Sequence, residues 1–421
     1  MLKIGLVTGE YPPLEGGVGA FTAELAKALH AQGHTVHIIT SREARPPDAP
    51  RTFTSAVEPI DLGFAKLHPR INRWRWPSLA VIADIALRYE LDVVNIQYQP
   101  AAYNMKSAAI NFLPWRLKNV VKTAVTFHDL RVPYLFPKAG GLRQTAVNFL
   151  ASTAHGVIAT NPADFQSLIL RLRSGQVSNL QSPAFFQRKG AKEQRDERQL
   201  AQIAIGSNIT VHPTNHIETE EIRHSLGLKP QDTLLGYFGF LNDSKGADTL
   251  IEALAGLDGR FHLIFIGGQT GASDGANNQA FLDGLQAQIQ ALGVAERVHW
   301  TGFLNDARVS AHLQAADMLV MPYRDGASLR RGTLMAALAH GRPLITTVPT
   351  APTPQLVSGE NCCLVPVGDV GALGTAVQTL SDDAALREKL GEGAAGLAAQ
   401  FSWEKIAAET AEFYQALLAG L

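Results

Sequence analysis

The chain carries the same opening twice, once at its N-terminus and once near its middle. The apolar run Leu2–Thr8 leads into a glycine-rich loop, Gly16-Gly17-Val18-Gly19, and then into a helical pattern. The apolar run Leu234–Phe238 leads into the polar loop 242–246 and a second helical pattern. Each is the strand–loop–helix start of a Rossmann-like unit. The sequence therefore predicts an α/β protein with two Rossmann-like doubly wound domains facing a central cleft, where ligands bind.

Apolar runs alternate with helical patterns along both halves of the chain. They lie near 36–40, 93–97, 121–127 and 157–160, and then near 262–266, 298–300, 318–321, 344–347 and 362–365. Nearly continuous runs of Val, Ile and Leu are typical of parallel strands that are buried on both faces. We expect a hinge near residue 210, after the polar stretch 188–198, and a last helix that begins with Ser402 as its N-cap.

Composition places the chain among ordinary globular proteins, with 46% hydrophobic and 18% charged residues in a length of 421. No apolar run approaches the roughly 20 residues that a membrane span needs, and the run at 4–7 ends too soon for a signal peptide. The cysteines, Cys362 and Cys363, are adjacent, so they predict neither a disulfide framework nor a zinc site. We expect a cytoplasmic protein.

Charge is divided unevenly between the two halves. Residues 1–200 hold 24 Lys and Arg against 15 Asp and Glu, a net +9, and the remainder carries −10. A basic segment with two tryptophans lies in the first half: Lys66, Arg70, Arg73, Trp74, Arg75 and Trp76. Such a segment is typical of proteins that bind an anionic membrane surface, here the inner face of the membrane. No nucleic-acid partner is predicted. The alternative is a solvated helix with its tryptophans packed inward.

Seven short motifs span nearly the whole chain. They are Tyr11-Pro12-Pro13 with Gly16-Gly17-Val18-Gly19, Thr126-Phe127-His128-Asp129, Lys245-Gly246, Gly302-Phe303-Leu304, Ala315-Ala316-Asp317, His340-Gly341-Arg342-Pro343 and Phe401-Ser402-Trp403-Glu404. In this order they resemble the family-four retaining glycosyltransferases of the GT-B fold. One glycine-rich loop would be a weak signal, but seven motifs in order are a strong one.

The resemblance implies a reaction and a division of labour. A nucleotide-sugar donor would bind mostly on the C-terminal domain, and a sugar, lipid-linked or other hydroxyl acceptor on the N-terminal domain. Transfer would proceed with retention, without a cofactor or bound metal, while cations and helix N-termini stabilise the leaving diphosphate. The last helix would return to the first domain, which predicts domains of 1–210 plus 402–421 and of 211–401.

The donor phosphates are expected beside glycines and a lysine. Gly16, Gly17 and Gly19 would let the backbone approach a diphosphate closely, because glycine adds no Cβ. Lys245, which we expect to begin a helix, would bind the phosphates as a point charge. The alternatives are a tight turn without a ligand and an exposed lysine.

The chain departs from the family pattern at the rest of the donor site. Where the family has two glutamates, alignment on Gly341-Arg342-Pro343 puts Ser328 and Ala336, and Phe240 stands in place of an arginine. Arg330 and Arg331, just before Gly332, are predicted to replace that cation with bidentate phosphate bonds. The alternative is that these arginines form salt bridges with Asp243 or Asp325, and Asp325 is also a candidate contact for the donor sugar.

The resemblance carries two further groups of residues. His128 would lie beside the donor sugar with Asp129 orienting its ring. Gly267 and the pair Phe303-Leu304 would place their backbone near the nucleobase.

Strand ends on the N-terminal domain supply the acceptor-side candidates, because the ends of parallel strands line such clefts. They are Gln97, Tyr98, Gln99, Tyr103, Asn104 and Asn161.

Two other functions compete with glycosyl transfer. One is a sugar-nucleotide-binding protein whose catalysis is altered, which the missing glutamates favour. The other is a GT-B sugar-nucleotide epimerase, which would need acid and base carboxylates that the motifs do not supply.

Overall fold

The structure is a computed structural model that describes residues 1–14, 16–46, 58–103, 108–130, 140–173, 199–268 and 275–420. The chain divides into two compact units, Met1–Ala204 with Trp403–Leu421 and Ile205–Ser402. We call them the N-terminal and C-terminal units. The predicted hinge near 210 lies just beyond this boundary, while the polar stretch 188–198 and Asn104 lie outside the described residues.

The described part of the N-terminal unit is built on an eight-stranded sheet in the order β3-β4-β2-β1-β5-β6-β7-β8. Its strands are β1 Lys3–Thr8, β2 Thr35–Ser41, β3 Ile60–Asp61, β4 Lys66–Ile71, β5 Val93–Tyr98, β6 Lys122–Phe127, β7 Gly156–Ala159 and β8 Gln199–Gln202. Its helices are α1 Gly17–Ala31, α2 Trp76–Arg88, α3 Leu113–Leu117, α4 Gly140–Thr153, α5 Pro162–Arg173 and the chain's last helix, α13 Trp403–Ala419. Neighbouring strands run parallel except β3, which is antiparallel to β4.

The C-terminal unit has a parallel sheet in the order β11-β10-β9-β12-β13-β14 across its described residues. Its strands are β9 Thr233–Phe238, β10 Phe261–Ile266, β11 Val298–Trp300, β12 Met318–Met321, β13 Leu344–Thr347 and β14 Cys363–Val365. Its helices are α6 His216–Ser225, α7 Ala247–Gly256, α8 Gly275–Ala291, α9 Asp306–Ala315, α10 Gly332–Ala339, α11 Val370–Asp382 and α12 Ala384–Ala398.

The strand order reverses once in each sheet, and this fixes where each unit can bind a ligand. In the N-terminal unit β1 lies between β2 and β5, and in the C-terminal unit β9 lies between β10 and β12. At such a switch point the loops that leave two neighbouring strands diverge to opposite faces of the sheet and leave a crevice at its carboxyl edge. The loops after β1, β5, β9 and β12 are therefore the first places to look for a site.

The central strands are buried on both faces, as their composition requires. Every residue of β5 and of β9 is buried. The two-domain α/β prediction is therefore confirmed. Of the helices that the structure describes, none combines the length and apolar character needed to cross a membrane.

Three strands were missing from the sequence prediction: β3, β4 and β8. The basic segment that begins at Lys66 forms strand β4, so a single solvated helix is wrong for it. Trp74 is buried, whereas Trp76 begins α2 and is 59% exposed. The sequence pattern did not predict β4 because His68 and Pro69 interrupt its apolar run.

A buried histidine pair explains why β4 can carry a polar residue inside. His68 Nε2 lies 2.9 Å from His37 Nδ1 on β2, and both side chains are buried. The Tyr89 ring packs against both imidazoles at 4.8 and 4.9 Å. Burial lowers the pKa of each histidine well below 6.5, so both are neutral in the folded protein.

This pair makes the N-terminal unit sensitive to acid. The unfolded chain binds protons at these histidines below about pH 6.5 while the folded chain does not, so the free energy of unfolding falls as pH drops below that value. Replacing His68→Gln removes one such group. Between pH 7.5 and 5.5, the free energy of unfolding of the variant should fall by about 1 kcal/mol less than that of the parent. Urea denaturation at the two pH values measures the difference.

His30→Gln is the matched control, because His30 is exposed on α1. The free energy of unfolding of this variant should change with pH as that of the parent does. If the free energy of unfolding changes equally between the two pH values in the parent and in His68→Gln, the proposed contribution of the buried pair is contradicted.

Candidate functional site

The glycine loop of the N-terminal unit is organised by Glu10. Glu10 Oε1 accepts a hydrogen bond of 3.2 Å from the Val18 N–H, at the start of α1. A Cβ at Gly16 would overlap the Glu10 carboxylate, and one at Gly19 would lie 3.0 Å from the Glu10 carbonyl oxygen. Burial raises the pKa of Glu10, and its bonds to backbone N–H groups oppose that rise.

The chain's own carboxylate therefore occupies the helix N-terminus that we expected a phosphate to use. Packing against Glu10 explains Gly16 and Gly19 without a ligand. Gly17 is exposed with open space around it, so its proposed phosphate contact stays a prediction. Sequence reasoning missed Glu10, although a carboxylate between a buried strand and a glycine loop is a visible signal for a helix-start contact.

His128 lies directly after β6 and is held by neighbours on two sides. Its Nε2 lies 2.9 Å from Gln97 Oε1, and the Phe21 ring packs edge-on with centroids 4.6 Å apart. Trp403, the first residue of α13, packs against Phe21 at 5.2 Å. Burial lowers the pKa of His128 to about 3, so its imidazole is neutral near pH 7. Asp129 was expected to orient this ring, but the hydrogen bond that the ring makes goes to Gln97.

Three of the acceptor-side candidates serve the fold. Tyr98 is 4% exposed, and its hydroxyl accepts a 2.9 Å hydrogen bond from Asn111. Tyr103 donates to backbone carbonyl oxygens of Val7 and Gln97. Asn161 is an N-cap, because its Oδ1 accepts from the Asp164 N–H at the start of α5. Polar residues at strand ends are equally suited to capping and to binding, which is why the sequence could not separate them.

The loop after β9 brings a lysine into a confined position. Lys245 ends a short 3-10 turn, Asp243–Lys245, and α7 begins only at Ala247, so the predicted helix start at Lys245 is wrong. Gly246 lies between them with φ of 70°, and a Cβ there would overlap the Pro322 carbonyl. The approach of this loop to the loop after β12 therefore requires glycine.

Lys245 lies near a second cation, Arg331. Burial lowers the pKa of Lys245 to about 8, with the Arg331 charge as the second cause. The ammonium nitrogen is 6.0 Å from the centroid of the Phe240 ring. Within the described ranges, no carboxylate forms an ion pair with Lys245. Like charges held together in this way are stabilised when an anion joins them.

Arg331 is the N-cap residue of α10 and has its own partners. It pairs with Asp325, and its guanidinium carbon lies 4.2 Å from the Tyr323 ring centroid. This is the salt bridge that we named as the alternative to phosphate binding. Its Nε is buried with no hydrogen-bond partner among the described residues. Arg331 therefore has a structural role, and a phosphate contact remains a prediction.

The other donor candidates divide into accessible and inaccessible positions. Ser328 and Arg330 are half-buried at the turn before α10, and Gly332 begins that helix. Ala336 is fully buried, so no ligand can contact its side chain in this structure. Arg324, which the motifs did not single out, pairs with Asp243 at 2.6 Å and with Asp248.

The residues expected near a nucleobase lie at the ends of β10 and β11. Gly267 has φ of 106° and its N–H donates to Thr301 Oγ1 over 3.0 Å. Gly267 and Gly302 form a bridge between the two strand ends. Phe303 is 70% exposed, and Leu304 beside it is half-buried. An exposed aromatic ring next to open backbone is a suitable stacking surface for a flat ligand.

Two protein-family models match the chain. The model described as "Glycosyl transferases group 1" matches residues 218–396, and that described as "Glycosyltransferase Family 4" matches 15–175. Among curated proteins, the D-inositol 3-phosphate glycosyltransferase of Corynebacterium glutamicum (strain R) is 27% identical over 231 residues, which are 53% of each chain. The enzyme of that name from Streptomyces avermitilis is 30% identical over 205 residues, 47% of this chain and 42% of the relative. The matches span about half the length of these relatives.

Solved structures share the architecture over the full length. The sucrose-phosphate synthase of Thermosynechococcus elongatus has a TM-score of 0.73 and 21% identity, and the match covers 100% of both chains. Anabaena HepE in complex with UDP and glucose has a TM-score of 0.71 and 20% identity, with 99% of this chain and 100% of that one covered. At this level of identity the likeness establishes the fold.

The proximity of Lys245 and Arg331 can be tested without a ligand. Acetic anhydride reacts with neutral amines, so labelling rates measured by mass spectrometry across pH give the midpoint of each lysine. We expect Lys245 to titrate near pH 8, with exposed Lys389 as the reference. In Arg331→Ala the midpoint of Lys245 should rise, because a neighbouring positive charge disfavours the ammonium form. An unchanged midpoint would contradict the influence of the Arg331 charge on Lys245.

Proposed function

The chain belongs to the group 1, family-four glycosyltransferases of the GT-B fold, and we propose that it transfers a sugar from a nucleoside diphosphate to an acceptor hydroxyl. We propose that transfer retains the anomeric configuration and needs no bound metal. The donor phosphates would bind the C-terminal unit, and the N-terminal unit would contribute the groups that face the acceptor.

One observation carries this proposal: the pair of cations at the start of α10. The Lys245 ammonium lies near the first turn of α10, because a Cβ built at Gly239 would lie 3.4 Å from Lys245 Nζ and 2.6 Å from Thr333 Cγ2. Burial lowers the pKa of Lys245, and the Arg331 charge lowers it further. Glycosyl transfer releases a nucleoside diphosphate, and charge grows on its phosphate oxygens as the bond breaks. A fixed pair of cations beside a helix N-terminus stabilises that charge more in the transition state than in the ground state. The same cations would supply the charge that a metal supplies in other transferases.

Uracil is the first donor base to test. A solved structure of the same fold, that of HepE, contains UDP and glucose. In this chain the exposed Phe303 and the backbone at Gly267 would contact the base. Backbone contacts discriminate weakly between bases, so adenine, guanine and thymine donors belong in the same experiment.

The second candidate function is sugar-nucleotide binding without transfer. The Asp325–Arg331 ion pair supports it, because Arg331 is already neutralised by a protein carboxylate. The buried Ala336, in place of a family glutamate, removes a contact to the donor. Binding would then persist while product formation failed.

We propose that a basic surface of the N-terminal unit binds an anionic acceptor. The structure changes which residues form this surface. Lys66 forms an ion pair with Asp61, and Arg70 forms one with Asp84. We therefore no longer count Lys66 and Arg70 as part of the basic surface. What remains exposed spans α2 and α3: Arg73, Arg75, Trp76, Trp115, Arg116 and Lys118. We call these six residues the tryptophan surface.

The tryptophan surface combines aromatic rings with exposed positive charge. Trp76 is 59% exposed and Trp115 43%, and the Trp76 ring lies 5.0 Å from that of Phe112. The segments 62–83 and 93–128 contain no Asp or Glu. Exposed Trp within a basic field is typical of binding to anionic lipid, which supports a lipid-linked or membrane-bound acceptor.

Donor turnover tests the main proposal. Purified protein is incubated with UDP-, GDP-, ADP- and TDP-sugars in the presence of EDTA, and release of nucleoside diphosphate is measured. We expect one donor to be consumed, by transfer or slow hydrolysis. Lys245→Ala should lower kcat/KM at least about a hundredfold, because a charge-assisted phosphate contact is worth about 3 kcal/mol. Lys389→Ala, at an exposed site, is the control and should match the parent.

The products decide between the competing functions. NMR of the product should show the same anomeric configuration as the donor sugar, and an inverted centre would refute retention. Tight nucleotide binding without turnover would favour the binding protein. A donor sugar that returns with an altered ring configuration would indicate epimerisation.

Vesicle binding tests the acceptor surface. We expect the protein to sediment with vesicles of phosphatidylcholine and phosphatidylglycerol at low salt, and not with phosphatidylcholine alone. The double variant Trp76→Ser/Trp115→Ser should bind at least about tenfold more weakly, since burial of each large apolar side chain is worth about 1.5–3 kcal/mol. Leu170→Ser, at a residue 68% exposed on α5, is the matched control. Equal binding by the double variant would refute the tryptophan surface.

A further inference from the structure

A row of polar side chains is buried on one face of the N-terminal sheet. Asn95 and Gln97 alternate along β5, so they share a face, and both are fully buried. In the parallel register of β5 and β6, Asn95 pairs with Ala124 and Gln97 with Thr126. Asn95 Nδ2 donates to Thr126 Oγ1 over 2.9 Å and to the Tyr414 hydroxyl of α13 over 2.5 Å.

Gln97 differs from the other members of this row. Its Oε1 lies 2.9 Å from His128 Nε2. Its amide nitrogen is buried and has no hydrogen-bond partner in the described part of the chain. An unpaired buried donor costs about 1–3 kcal/mol, so a glutamine here is not explained by stability alone.

The His128 ring is also fixed by packing. Phe21 of α1 presents an edge contact at 4.6 Å and an interplanar angle of 73°. Trp403 packs on the far side of Phe21 at 5.2 Å. Because Gln97, Phe21 and Trp403 carry no charge, nothing in this set favours the imidazolium, and burial is the cause of the low His128 pKa.

We propose that Gln97 is a positioning residue that holds His128 in the Nε2–H tautomer. With Oε1 accepting from Nε2–H, the ring presents Nδ1 as an acceptor for a substrate hydroxyl. The proposal rests on the proposed function, with His128 beside the donor sugar as the family resemblance implies.

Glutamine suits this task better than a carboxylate would. A glutamate would accept the same hydrogen bond, but its charge would favour the imidazolium, and an imidazolium has no lone pair with which to accept. An amide fixes the tautomer and leaves the ring neutral. The unpaired amide nitrogen is the cost of placing a neutral acceptor here.

The tautomer can be read directly, without substrate. Long-range ¹H–¹⁵N spectra of histidine-labelled protein distinguish a protonated from an unprotonated ring nitrogen, and His128→Asn identifies the resonances by their loss. We expect His128 to be protonated at Nε2 in the parent and in Gln97→Glu. Gln97→Met should yield a mixture of tautomers. Gln144→Met, which removes a hydrogen bond to Asn148 on α4, is the matched control and should leave His128 unchanged.

A pH profile supplies a readout that a purely structural role would not move. In Gln97→Glu the acidic limb of kcat/KM should shift upward by about 1 pH unit, because the carboxylate stabilises the imidazolium. Gln97→Met should lower kcat/KM about tenfold without such a shift. Melting temperatures establish that each variant is folded.

Two outcomes would overturn the inference: an Nδ1–H tautomer in the parent, or an unchanged tautomer in Gln97→Met. If the parent turns over no donor, the proposed function fails while the NMR result still decides the role of Gln97.

Discussion

A parallel sheet whose strand order reverses has two loops that diverge at its carboxyl edge, and both units of this chain depend on that geometry. In the N-terminal unit the reversal falls between β1 and β5, and in the C-terminal unit between β9 and β12. The glycine loop, the Lys245 turn and the Tyr323–Asp325 segment follow β1, β9 and β12, and Gln97 is the last residue but one of β5. The sites are therefore fixed by topology before any side chain is considered, and the side chains decide what each site can bind.

The two units carry different charges near the carboxyl edges of their sheets. The C-terminal unit gathers cations: Lys245 has a lowered pKa beside Arg331, and the α10 N-terminus begins next to them. In the N-terminal unit, the imidazole of His128 after β6 is uncharged, and the Glu10 carboxylate already occupies the start of α1. A diphosphate fits the first environment and a hydroxyl the second. This contrast supports a donor phosphate in one unit and an acceptor contribution from the other.

The sequence predicted the parts of the fold that apolar periodicity controls. Buried parallel strands such as β9 and β12 stood out because their residues are mainly apolar. β4 was missed because its polar His68 is paired with His37, a contact between distant residues. Motifs located Lys245 and His128 but not their surroundings. Only the three-dimensional structure could show that Asn161 caps α5, that Asp325 pairs with Arg331 or that Gln97 hydrogen-bonds the His128 ring.

We propose that Lys245 binds the leaving diphosphate as an ammonium ion, and that this amine is only partly protonated in the free protein. Calorimetry of UDP binding at pH 8, in buffers of different ionisation enthalpy, counts the protons taken up. With a pKa of about 8 in the free protein, binding should draw in about half a proton per UDP. Lys245→Arg should bind UDP without that uptake, because arginine is charged throughout. UDP binding by the parent with no proton uptake would contradict the claim.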